Sequence, residues 1–370
     1  MDQLESLVQI SRYYGQNPAY VLAGGGNSSF KDQEKLWIKA SGIPLAGIRK
    51  EDFVVLSRER LAVLEERSYS EDPVTREAEV KHDLSNAVVG NRELRPSVET
   101  SLHNLIGHAF IVHTHPTLIN ALMCSQNAAQ ETEERFGDTA LYMEYTDPGY
   151  TLFKKLQSRI REYTQQHGSP PKIIFLQNHG IFVGADRPEE IRNLYEDVGS
   201  AIRKGKQLDL PDSAFEPCDS DTVVHLSGLY REAGWMCRGY RSRLIDHFTS
   251  GVEVFRKVSR PFTPDIIVYC KSHYLVLEPD LSREDLEEKV AAFRKHHGYL
   301  PKVILEEAGG LFVAGASGKD LKTVLEVYNN MMQISYLSEQ FGGPHAMTDQ
   351  QIAFIDSWEV ENYRRKVAGA

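Results

Sequence analysis

No stretch of the 370-residue chain runs for about 18 consecutive apolar residues, the length a bilayer-spanning helix needs. The opening Met1-Asp2-Gln3-Leu4-Glu5 carries acids where a secretory leader carries Lys or Arg. Both absences make the cytoplasm the expected compartment. Cysteine is scarce: Cys124, Cys218, Cys237 and Cys270 are scattered without a C-x-x-C spacing, which argues against a disulfide framework and against a thiolate metal site. Basic charge is short as well. Lys and Arg number 42 against 52 Asp and Glu, giving a formal net charge of -10 and a pI near 5.8. Such a chain has no positive field for a phosphate polymer or an anionic membrane surface, so nucleic acid and membranes are not expected partners and small molecules are.

What is present suffices for a sizeable core. A hydrophobic content of 41% over this length suggests two domains. Leu4, Leu7, Val8 and Ser11 stand at helical spacing and end in the breaker-rich Gly15-Gln-Asn-Pro18. Leu36 to Lys39 and Phe53 to Leu56 look like strands, helical patterns resume at about 74 to 91 and 97 to 107, and Ala109-Phe110-Ile111-Val112 forms a buried strand. A helix after Pro116, a strand over Thr139 to Tyr145, a helix over Pro148 to Gln166 and a strand or hairpin over Lys172 to Val183 follow. Strands alternating with helices put the class at α/β or α+β, a central sheet flanked by helices. The acid-, Ser- and Pro-rich Leu210 to Asp221 lacks periodicity and is taken as the boundary, leaving a domain over 1–210 and a smaller α/β domain over 222–370. The second echoes the first: His167 to Val183 recurs as His297 to Val313, at a constant offset of 130 residues, each copy leading into a helix. His179 is replaced by Gly309, so the second domain is expected to be a degenerate partial repeat without metal ligands.

Chemistry concentrates in the first domain. His113-Thr114-His115 closes a strand, and side chains two apart on a strand share a face, as chelation by a pair requires. His179 sits in the glycine-flanked apolar segment Phe175 to Val183, and Glu99 lies upstream. Three imidazoles and a carboxylate suit a catalytic zinc, or another divalent ion, with one coordination position open to substrate. His82, His103 and His108 lack chelating spacing and are taken as solvated or packing residues. Gly24-Gly-Gly26-Asn27-Ser28-Ser29 offers small side chains and several N–H donors, as either a phosphate-cradling loop or a tight turn. It has neither the Lys-Ser/Thr ending of a P-loop nor the G-x-G-x-x-G spacing of a dinucleotide fold. Ser41-Gly42 and Pro96-Ser97 also place a hydroxyl beside a turn residue, Ser97 where an N-cap would stand.

Taken in order, G-G-G-N-S-S, A-S-G-I-P, P-S-V-E-T-S-L-H, H-T-H-P and Q-N-H-G resemble the class II aldolase/adducin family over roughly residues 5 to 210. Within it the likeness is to aldolases of rhamnulose and fuculose 1-phosphate, including the aldolase portion of longer proteins fused to a dehydrogenase. The resemblance implies a three-layer aldolase-like domain and cleavage of a ketose, such as a ketose 1-phosphate, into dihydroxyacetone phosphate and an aldehyde through a metal-stabilised enediolate. It implies one zinc per chain on His113, His115 and His179, a base at Glu99 and phosphate contacts at Asn27, Ser41, Gly42 and Ser97, with Ser28 a further candidate in the same loop. It also implies a homo-oligomer, with a tetramer as the family form. Val98 stands where fuculose-phosphate aldolases have a second serine. The family's tyrosine proton donor has two candidates, Tyr142 and Tyr145, of which Tyr145 beside Asp147-Pro148-Gly149 is favoured. An apolar pocket would raise the Glu99 pKa and a neighbouring cation would lower it, a balance that sequence leaves open. The same fold could instead serve a sugar-phosphate epimerase or decarboxylase, or an adducin-like interaction module without catalysis. Nothing after residue 210 offers a glycine-rich dinucleotide loop, so oxidoreductase activity is not carried over.

Overall fold

The computed structural model describes residues 2–358. The chain divides into two compact units, one comprising residues up to Met123 with Asn127–Lys206, the other Cys124–Gln126 with residues from Gln207 onward.

The first unit is built on seven strands: β1 (Asn27–Lys31), β2 (Lys35–Lys39), β3 (Phe53–Ser57), β4 (Phe110–Thr114), β5 (Leu141–Met143), β6 (Ile173–Leu176) and β7 (Gly180–Ala185). They lie in the order β3-β2-β1-β4-β7-β6-β5, all neighbours antiparallel except β5 and β6. One face is apolar through Leu36, Ile38, Val54, Leu56, Ile111, Ile174 and Phe182, and it carries the helices Pro73–Ala87, Thr100–Leu105 and Tyr150–His167 through Leu84, Leu102, Leu152 and Leu156. Alternation sends Val112, Ile181 and Val183 to the other face, and all three are fully buried. Helices Gln3–Gly15, Thr117–Met123 and Pro188–Arg203 supply buried apolar side chains such as Leu7, Leu122 and Ile191. The fold is thus mixed α/β, a sheet between helical layers. β5 and the helix Thr100–Leu105 are shorter than their sequence patterns suggest: a 3-10 turn over Gly137–Thr139 precedes the strand, and Glu99 stands outside helical geometry at φ -91° and ψ 7°.

The second unit has five strands: β8 (Glu216–Pro217), β9 (Met236–Arg241), β10 (Leu275–Leu277), β11 (Val303–Glu306) and β12 (Gly310–Gly315), in the order β10-β11-β12-β9-β8. The segment expected to be a bare linker therefore contains β8. Two residues show no periodicity, and Pro217 is tolerated because β8 lies at a sheet edge.

Reversed, that order matches β1-β4-β7-β6-β5 strand for strand. Every pairing has the same sense, including the parallel pair β10–β11. The correspondence reaches the hairpin turn, where Asn178 (φ 54°) and Ala308 (φ 56°) both adopt the left-handed conformation. His179 N–H donates to Leu176 O as Gly309 N–H donates to Glu306 O. The repeat suggested by one hairpin and its helix thus extends to a five-stranded core.

Candidate metal centre

Register places the ligands. His113 pairs with Asn27 on one side of β4 and with Phe182 on the other. β4 ends at Thr114 and His115 follows directly, its N–H held by Tyr20 O at 3.1 Å. Between them Thr114 points to the opposite face, where its hydroxyl lies 2.6 Å from that of buried Tyr195. His179 occupies the β6–β7 turn beside left-handed Asn178, and its carbonyl accepts from Asn120 Nδ2 at 3.2 Å. Two glycines permit the close packing. A Cβ on Gly26 (φ 66°) would meet His113 O at 2.8 Å, and one on Gly180 would meet Thr114 O at 2.5 Å and His115 Cδ2 at 2.7 Å.

The imidazole nitrogens of His113, His115 and His179 lie within 4.8 Å of one another, the Nε2 atoms of His113 and His115 only 2.9 Å apart. His113 Nδ1 sits 2.9 Å from Ile181 O, an atom that can only accept, so Nδ1 carries the proton and Nε2 presents a lone pair. Glu99 Oε1 is 3.2 Å from His113 Nε2 and 3.3 Å from His179 Nε2, yet this buried oxygen has no hydrogen-bond partner. Three imidazole nitrogens converging beside a carboxylate oxygen form a donor set that suits zinc or a similar divalent ion.

The electrostatics follow. Burial drives the His113 pKa down to about 4 against the opposing pull of Glu99, which keeps the ring neutral as a ligand must be. Burial would raise the Glu99 carboxyl, and the His113 and His179 rings beside it pull the other way, to well below the usual carboxylate range. A cation held by the neutral rings would pull in the same direction as they do.

Of the other expected site residues, Asn27 and Ser97 lie at the centre: Asn27 Nδ2 donates to Glu99 Oε2 and stands 3.3 Å from Ser97 Oγ, which also accepts from Glu99 N–H at 3.3 Å. Glu99, not Ser97, stands at the N-cap of the helix, and the Ser97 hydroxyl braces that residue's N–H while touching the site. The Ser41-Gly42 turn runs alongside through the Ala40–Pro96 bridge and the Ser41 N–H to Arg95 O bond of 2.9 Å, with Gly42 at φ 85°. Ser28 is not brought to this group. Alternation turns it to the opposite face of β1, where its hydroxyl is buried 2.6 Å from Ser11 Oγ. Tyr145 contacts none of the three imidazoles: its N–H donates to Gln177 Oε1 at 3.1 Å, and its hydroxyl is buried near Asp147. Burial, then Asp147, raises its pKa.

Sequence spacing missed His103. Of the two readings, solvated or packing, the second holds, for His103 is fully buried; spacing gave no hint that both ring nitrogens contact polar partners, Ser29 Oγ and Asn27 Oδ1. The only sequence signal was β1's alternation Asn27, Ser29, Lys31, which gives one side of a central strand three polar side chains.

Residues 5–203 match the family model for the class II aldolase and adducin N-terminal domain. The chain belongs to this family. A curated relative, the uncharacterised oxidoreductase YuxG of Bacillus subtilis (strain 168), is 27% identical over 213 residues, 55% of this chain and 29% of that protein. The chain thus matches less than a third of that relative's length. Among solved structures, the N-terminal class II aldolase domain of a conserved Thermoplasma acidophilum protein is 24% identical at a TM-score of 0.46, covering 55% of this chain and 93% of that one. The L-fuculose-1-phosphate aldolase of Thermus thermophilus is 17% identical at a TM-score of 0.35, covering 54% and 92%.

Proposed function

We propose that this family member is a divalent-metal lyase, most simply a zinc enzyme, that cleaves a ketose 1-phosphate such as rhamnulose or fuculose 1-phosphate into dihydroxyacetone phosphate and an aldehyde. The observation that carries this reading is the buried, unpartnered Glu99 Oε1 facing the nitrogens of His113 and His179. His113, His115 and His179 hold the ion. A divalent ion held there supplies Lewis-acid stabilisation of the negative charge left on the donor fragment when the carbon–carbon bond breaks.

The rest is the work of the chain. In cleavage the hydroxyl beside the breaking bond passes its proton to the ionised Glu99 carboxylate and its oxygen becomes the aldehyde carbonyl. The electron pair of the broken bond stays with the donor fragment, and Glu99 Oε1 then returns that proton to the donor carbon. In the condensing direction the same carboxylate first takes the proton from the donor carbon. Ser41, Gly42 and Ser97 offer hydroxyl and backbone donors to the phosphate, and Asn27 steadies Glu99. Tyr145 is the candidate partner of the aldehyde oxygen.

The test is incubation of the zinc-loaded protein with both ketose 1-phosphates and the free ketoses, with dihydroxyacetone phosphate as the readout. Glu99→Gln keeps the three imidazole ligands and is expected still to bind one zinc at saturation, at least about 10-fold more weakly than the native protein. It should lose at least about 100-fold in turnover, the scale of a general acid–base group. Full activity in that variant removes the role from Glu99, and an isomeric sugar in place of triose phosphate makes the protein an epimerase.

A further inference from the structure

His103 is the buried titratable side chain that this chemistry leaves over. Its Nε2 abuts Asn27 Oδ1, an atom that can only accept, so Nε2 carries the proton. Nδ1 is then a lone pair and takes the hydrogen of Ser29 Oγ at 2.7 Å. With its oxygen committed to His103, the Asn27 amide can only turn its NH2 toward Glu99, where it donates to Oε2. A flipped amide would set its oxygen against the Glu99 carboxylate, two acceptors with no hydrogen between them. The order of donors therefore runs one way, from Ser29 to His103 to Asn27 to Glu99, and its last bond occupies one carboxylate oxygen while Oε1 faces the imidazoles.

His103 does not reach the metal ligands itself. The Phe182 ring lies against both, stacked on His113 at 4.1 Å and edge-on to His103 at 5.4 Å. Its backbone is held as firmly as its ring: Lys31 Nζ, buried, donates to His103 O and Ile106 O at 2.6 Å each.

We propose that His103 is a positioning residue which, through Asn27, selects Oε1 as the Glu99 oxygen presented to the metal and the substrate. Its consequence for turnover rests on the aldolase reading; the hydrogen-bond order and its effect on metal binding do not. A histidine that only filled the core would be replaced equally well by any side chain of similar volume, whereas a donor to Asn27 would not.

The experiment compares His103→Phe, which keeps the ring volume and loses the donor, with His103→Gln, which keeps an N–H for Asn27 Oδ1. Zinc affinity is measured by chelator competition on the full chain, and turnover on the ketose phosphate. His103→Phe is expected to weaken zinc binding at least 10-fold, within the range seen when outer-shell partners of metal ligands are removed. It should lower kcat by a similar factor with KM within about 3-fold, and His103→Gln should restore both to within about 3-fold of the native protein. Independently, 15N NMR of histidine-labelled, zinc-free native protein should show His103 protonated at Nε2. An Nδ1-protonated ring, or equal zinc affinity in the two variants, overturns the proposal. If the native protein cleaves no ketose, the aldolase reading fails and the tautomer and zinc affinities still decide the role of His103. They also decide it, through the tautomer alone, if His103→Phe does not fold.

Discussion

Lys31 shows how much of this site is made by residues that no motif contains. Its amine is buried against two carbonyls at the end of the Thr100–Leu105 helix, and burial holds its pKa well below that of a free lysine. Lys31→Met keeps the apolar stem and strands both carbonyls, so it should destabilise the protein by about 1–3 kcal/mol. Denaturant unfolding checks this, and an unchanged midpoint would mean that water replaces the amine. The buried rings make the metal-free protein acid-sensitive. Burial lowers His113 to about 4 from 6.5 and takes His103 down as well. Between those folded values and 6.5 the unfolded chain binds more protons than the folded one, so stability falls as pH is lowered through that window. The slope should reach at most about 1.4 kcal/mol per pH unit for each ring. Thermal midpoints recorded between neutral and mildly acid pH should drop accordingly, less steeply in His103→Gln; a flat profile would mean that the rings are protonated in the folded state.

At the scale of elements, the metal site is a matter of register and of two missing side chains. A methyl group on Gly180 would press on Thr114 O and His115 Cδ2, both of which belong to the chelating segment. Gly180→Ala should therefore weaken zinc binding by about 10-fold or more, comparable with loss of an outer-shell contact, while the β6–β7 hairpin still folds. Chelator competition measures it, and native affinity would show that the turn yields without moving His115. The H-x-H pair was legible in the sequence because a strand repeats every two residues and an apolar run preceded it. The partners of Glu99 were not. Asn27 and His103 meet across 76 residues of sequence, and which of Asn27, Ser28 and Ser29 faces the site depends on the pairing of β1 with β4, which no local pattern encodes. Sequence alone therefore makes Ser28 look like a companion of Asn27, whereas its hydroxyl turns toward Ser11.

At the scale of the whole molecule, register also shows what became of the second copy. Phe182, the partner of His113 across β4 and β7, corresponds to Phe312, whose partner across β9 and β12 is Gly239. The three ligand positions are therefore held by Gly239, Arg241 and Gly309, and the first and third are filled from neighbouring strands. A Cβ on Gly239 would lie 2.9 Å from the Phe312 ring, and one on Gly309 would collide with the Glu306 carboxyl, which instead bonds Thr222 Oγ1 at 2.6 Å. Only the hairpin part of this repeat could be seen in the sequence, since Met236-Cys-Arg-Gly-Tyr-Arg241 shares no residue pattern with Phe110-Ile-Val-His-Thr114; the common pairing partner reveals the kinship. Folding selects for the sheet order, which survives, whereas the ligands matter only to a working site. The chain should accordingly bind one zinc, not two, at saturation. Native mass spectrometry of the reconstituted protein should show that single ion, and His115→Ala should reduce it to under about a tenth occupancy, since three-imidazole coordination leaves little affinity to a remaining pair. A second tightly held ion, or full occupancy in His115→Ala, would place the metal elsewhere and detach the proposed chemistry from the first unit.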